Sequence, residues 1–134
     1  MNDASEHLSV LRVMLVEDDP TVSKLLQMML RALDVELVFT ACDGAEALSF
    51  LGRNEGMVNT VLCDRNMPKM TGIELLRQVR SVDPDLQFVM VSGHATPEHV
   101  SEARGLNVNA FIAKPFYVET VREQLAIVAD RLRA

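Results

Sequence analysis

Five times along this chain a short apolar run gives way to a segment whose apolar residues recur at helical spacing. That alternation constrains the fold more than any other feature. Leu11-Arg12-Val13-Met14-Leu15-Val16 ends abruptly in Glu17-Asp18-Asp19-Pro20. Val22, Leu25, Leu26, Met29 and Leu33 then follow helical spacing, so a helix is expected to run to about Leu33. Asp19 before Pro20 is a ready N-cap with proline at the first helical position. A strand is next expected from Val35 to Thr40, a turn at Asp43-Gly44, and a helix from Ala45 to Leu51 that ends near Gly52. Thr60-Val61-Leu62-Cys63 reads as a buried strand ending at Asp64. Gly72 to Val82 reads as a helix stopped by Asp83-Pro84. Leu86 to Val91 reads as a strand ending at Ser92-Gly93, and Pro97 to Arg104 as a helix with Gly105 just past its end. Val108 to Ala113 is a last strand before Lys114-Pro115. Val118, Val121, Leu125, Val128 and Leu132 line one face of a last helix.

Strands joined by helical crossovers lie parallel, with helices on both faces. The expected class is therefore α/β: a doubly wound, five-stranded parallel sheet flanked by helices. At 134 residues the chain suits one domain. Residues 1–10 read as a polar tail and 11–134 as the domain. Apolar residues at 49% exclude disorder, and runs such as Phe88-Val89-Met90-Val91 fall far short of the roughly 18 residues of a membrane span. A net charge of −6, with scattered basic residues and no Trp, argues against nucleic-acid binding. Cys42 and Cys63 form no disulfide framework, and no secretory signal opens the chain. A cytoplasmic protein is expected.

In such sheets ligands bind at the carboxyl ends of the strands. There the topology gathers Glu17 and Asp18, then Asp64, Ser92 and Lys114. Taken singly, these are ordinary turn and surface residues. Together, three converging carboxylates repel one another and need a cation. Oxygen ligands without Cys or His favour Mg²⁺, which keeps several waters and often shares a phosphate. A lysine and a hydroxyl beside the ion suit a phosphoryl group. A carboxylate can attack phosphorus and carry the group as an acyl phosphate. Asp64, alone on its strand, is the candidate nucleophile.

These residues resemble the receiver domains of two-component response regulators, the CheY-like variant of the flavodoxin-like fold. The resemblance spans about Leu11 to Leu132. It rests on Val16-Glu17-Asp18-Asp19-Pro20, Ala41-Cys42-Asp43-Gly44-Ala45-Glu46-Ala47-Leu48, Asp64 through Gly72, Ser92-Gly93 and Lys114-Pro115-Phe116, in order and at family spacing. It implies that Asp64 is the phosphoacceptor. It further implies that Asp18, Glu17 through water, Asp64 and the backbone carbonyl of Asn66 hold Mg²⁺. By the same resemblance Lys114 pairs with the phosphoryl oxygens, and its bond to Pro115 is cis. Ser92 is the switch hydroxyl and Phe111 the switch aromatic. Many members carry Tyr at that position, so Phe111 would signal by shape alone. Asn66 and His94 flank the path of attacking water and are expected to modulate dephosphorylation. For His94, a plain surface histidine is the alternative.

The implied activity is a switch rather than an enzyme in its own right: self-phosphorylation from a donor, then slow autodephosphorylation. The expected donor is a histidine kinase. The expected output is a changed surface of the fourth helix, fifth strand and fifth helix, acting on a motor or signalling protein. The chain stops after the last helix, which points to output by protein contact, without nucleic acid or membrane. A phosphate sink or relay to a histidine phosphotransfer protein uses the same residues. A receiver cut from a longer regulator is the other alternative. A haloacid dehalogenase-type phosphatase is disfavoured by the spacing around Pro20, and nucleotide-binding loops are missing.

Overall fold

The computed structural model describes residues 8–93 and 96–134. Among the described residues, five strands alternate with five helices: β1 (Arg12–Val16), α1 (Pro20–Ala32), β2 (Leu37–Ala41), α2 (Gly44–Arg53), β3 (Thr60–Asp64), α3 (Gly72–Val82), β4 (Gln87–Ser92), α4 (Pro97–Gly105), β5 (Ala110–Ala113) and α5 (Val118–Arg133). All strand pairs are parallel, in the order β2-β1-β3-β4-β5. Strand order reverses beside β1, so the crevice between the ends of β1 and β3 is the switch point where ligands of such sheets sit.

Strand alternation divides the core into two layers. Val13, Leu15, Leu62, Val89 and Ile112 pack under Leu26 and Leu30 of α1 and Val121, Leu125 and Val128 of α5. Met14, Val16, Val61, Cys63, Phe88 and Met90 face Ala47 of α2, Ile73, Leu76 and Val79 of α3, and Ala103 of α4. Both faces of the central strands are covered, which is why those strands read as apolar runs. Leu8 is fully buried and Val10 packs beside it, so the core reaches back past the expected boundary at residue 11. No helix among the described residues is long and apolar enough to cross a membrane.

Helix starts follow their caps. Asp19 Oδ1 accepts the N–H groups of Thr21 and Val22, and Asp43 Oδ1 accepts that of Glu46. Thr71 and Glu74 form a reciprocal capping box on α3.

Two strands begin two residues later than their apolar runs suggest, for one reason. After α1, Asp34 takes a left-handed φ of 60° and Val35 donates back to the Leu30 carbonyl. After α4, Asn107 (φ 62°) and Val108 repeat this, with Val108 donating to the Ala103 carbonyl. Each valine closes a helix by a Schellman motif before the strand starts. Gly105 thus lies within α4 instead of just beyond it, while α2 ends near Gly52 as expected, at Arg53.

Candidate functional site

The register of the sheet brings the expected residues to one edge. Glu17 extends the β1–β2 ladder by one bond, donating its N–H to the Ala41 carbonyl. Asp19 is used as a cap, which leaves Glu17 and Asp18 for the crevice. Asp64 ends β3 and is 6% exposed; Glu17 is 4% exposed, and Asp18 faces solvent. One carboxylate oxygen from each of the three lies within 4.8 Å of the others.

One cation and one backbone donor meet Asp64 Oδ1. Lys114 Nζ stands 3.4 Å away, and the backbone N–H of Asn66 donates from 3.3 Å. Lys114 reaches the site because its N–H donates to the Ser92 carbonyl at 2.8 Å, which continues the β4–β5 pairing. Its bond to Pro115 is cis, as the resemblance implies. Ser92 is fully buried at the end of β4.

Glu17 carries the cost of this crowding. One oxygen, Oε2, accepts the Asp19 N–H at 3.1 Å; the other, Oε1, is buried without a hydrogen-bond partner. Burial, and then the nearby charge of Asp64, push its pKa from 4.5 to about 7, against the pull of the Asp19 N–H and Lys114. A buried, unpartnered carboxylate oxygen in an all-oxygen acidic cluster fits a small hard cation that keeps part of its water.

Phe111 does not join this cluster. It is half-buried on β5, opposite Met90 in register, and packs on the second core layer. Asn66 sits at the exposed rim. His94 lies outside the described residues. Cys63 is buried, its Sγ donating to the Asp64 carbonyl, and burial raises its pKa well above the ordinary value. It is inert core, as expected.

One positional constraint is invisible in the residue types at the site. A Cβ on Gly72 would stand 2.6 Å from the Asp64 carbonyl oxygen and 2.9 Å from Arg65 Cα. Gly72 also donates its N–H to the Arg65 carbonyl. The start of α3 therefore abuts the backbone of Asp64, and only glycine permits that approach.

With this geometry in place, likeness to known proteins is decisive. Residues 13–126 match the response regulator receiver domain family. The chain belongs to that family. It is 32% identical to the chemotaxis protein CheY of Pseudomonas aeruginosa over 124 residues, 91% of this chain and 98% of that one. It is 31% identical to a stretch of the sensor histidine kinase RcsC of Salmonella typhimurium, covering 90% of this chain and 12% of that protein. A receiver domain protein from Clostridium thermocellum superposes with a TM-score of 0.82 at 21% identity, covering 92% of this chain and 99% of that one, which shows the shared fold. A receiver domain takes part in two-component phosphoryl signalling and is not an enzyme acting on an external substrate. Glu17, Asp18 and Asp64 form an acidic cluster of the kind that could hold a metal ion.

Proposed function

We propose that Asp64 accepts a phosphoryl group from a histidine kinase in a Mg²⁺-dependent reaction, and that the change alters the surface of α4, β5 and α5 toward protein partners. The observation that carries this reading is the pairing of Asp64 Oδ1 with Lys114 Nζ at 3.4 Å inside a cluster of three carboxylates. A carboxylate oxygen can act as the nucleophile, and Lys114 beside it supplies positive charge for an incoming phosphoryl group.

Glu17, Asp18, Asp64 and the Asn66 carbonyl would hold the ion. Bound Mg²⁺ supplies positive charge to the phosphoryl oxygens. A carboxylate oxygen of Asp64 attacks phosphorus. The new O–P bond forms as the P–N bond to the donor histidine breaks, and that bond's electron pair leaves on the imidazole. Lys114 offsets the charge that arrives on Asp64. Ser92 moves to the phosphoryl group, and Phe111 changes rotamer in the space that opens. The contacts made by the phosphoryl group exist in only one of two conformers, so they shift the population toward it. Asn66 and His94 set how long the group lasts.

A receiver domain that acts alone through protein contact, its core extended back to Leu8, is supported by the near-complete coverage of a chemotaxis protein. A relay to a histidine phosphotransfer protein is the second reading, favoured by the match to a segment of a sensor histidine kinase. Rapid back-transfer to a phosphohistidine protein would distinguish it.

The test is incubation with Mg²⁺ and acetyl phosphate, followed by intact-mass measurement. A gain of one phosphoryl mass is expected, lost in Asp64→Asn and in chelator. No gain with acetyl phosphate or with a histidine kinase, in a folded protein that binds Mg²⁺, would overturn the reading.

A further inference from the structure

One charged side chain leaves the Asp64 loop for a different element. Arg65 follows Asp64 directly, and its backbone is fixed on both sides. Its N–H donates to the Val91 carbonyl, and its carbonyl accepts from Gly72, each at 2.8 Å. The guanidinium then crosses to α4, where Nη2 lies 3.0 Å from Glu102 Oε1. The Arg65 side chain is 17% exposed and that of Glu102 47%. Arg65 Nε is buried without a hydrogen-bond partner. A poorly hydrated guanidinium with one donor unsatisfied depends on the anion it has.

The helix at the far end of this bridge has the thinnest anchorage. The buried residues of α3 are Gly72, Ile73, Leu75, Leu76 and Val79, and those of α5 are Val121, Leu125, Val128 and Ala129. In α4 only Ala103 is buried among the described residues. A half-exposed ion pair adds little to a well-packed helix. In α4 it joins a single buried residue, Ala103, and elements with few buried contacts are the ones that shift.

The geometry points to Arg65 and Glu102 as a positioning pair that ties α4 to the phosphoacceptor loop in the unphosphorylated chain. This rests on the reading that Asp64 is phosphorylated and that the α4 surface responds. A tie present in the resting conformer opposes the other one. Removing it favours phosphorylation by the same free energy, because coupling is reciprocal.

The test uses the full chain with Mg²⁺ and sub-saturating acetyl phosphate. Glu102→Gln should raise the ratio of phosphorylated to unphosphorylated protein about two- to fivefold, the scale of a half-exposed ion pair. Glu102→Asp should fall between Glu102→Gln and the unaltered protein. In an Arg65→Gln background, Glu102→Gln should change nothing further, since the partner is gone. In unphosphorylated protein, Glu102→Gln should speed amide hydrogen exchange across α4 and leave α3 unchanged. An unaltered ratio, or an effect that persists without Arg65, overturns the tie. If the unaltered protein takes no phosphoryl group, the reading beneath fails, and the exchange measurement judges the tie by itself: equal exchange in α4 overturns it.

Discussion

Glu17 offers the sharpest physical prediction, because the folded chain holds its carboxyl in a place that disfavours charge. Its pKa rises from 4.5 to about 7, first through burial and then through Asp64. The folded state therefore binds a proton between these values that the unfolded state releases. Stability falls as pH rises through that window, and the loss is complete above about pH 7. At about 1.36 kcal/mol per pH unit, the full loss attributable to Glu17 is about 3 kcal/mol. Glu17→Gln keeps the shape and removes the charge. It should leave stability at pH 4.5 nearly unchanged and raise it at pH 8 by up to about 3 kcal/mol. The assay is urea denaturation of both proteins from pH 4.5 to 8 in chelator, compared as the difference between the two curves. Mg²⁺ should then restore the unaltered protein at pH 8 and do far less for the variant. A difference that stays flat across the pH range would refute the reasoning, as would a variant less stable at pH 8.

Other consequences follow from packing and charge. Gly72→Ala puts a methyl group 2.6 Å from the Asp64 carbonyl oxygen, so chemical denaturation should show a loss of about 1–3 kcal/mol, with slower phosphorylation. Leu8→Ala empties a fully buried site and should cost about 2–5 kcal/mol, read by the same denaturation. Lys114→Gln removes the cation beside Asp64; Mg²⁺ titration should show binding retained or tightened, while phosphoryl uptake falls at least about tenfold, as loss of one charge-stabilising group costs.

Much of this was legible in the residues. The switch from apolar runs to helical spacing located all five strand–helix units, and parallel topology alone brought Glu17, Asp18, Asp64, Ser92 and Lys114 to one edge. Asp19-Pro20 read correctly as a cap. What escaped depends on contacts between distant segments or on non-glycine residues in unusual backbone. Val35 and Val108 look like strand residues, yet Asp34 and Asn107 turn the chain so that each valine closes a helix. Glycine usually marks that turn, and here it does not. Lateral strand order, the need for glycine at Gly72 and the reach of Arg65 to Glu102 follow only once α3 and α4 are docked. Phe111 stands out only through the family resemblance, and its place in the second core layer follows only from the fold.

The central claim is that Asp64, and no other carboxylate of the cluster, carries the phosphoryl group. The most direct measurement is transfer from a phosphorylated histidine kinase in Mg²⁺, followed by trapping of the acyl phosphate and peptide mapping. The label is expected on the peptide containing Asp64, and none after Asp64→Asn. Label on Glu17, Asp18 or another residue, or label that survives Asp64→Asn, would contradict it.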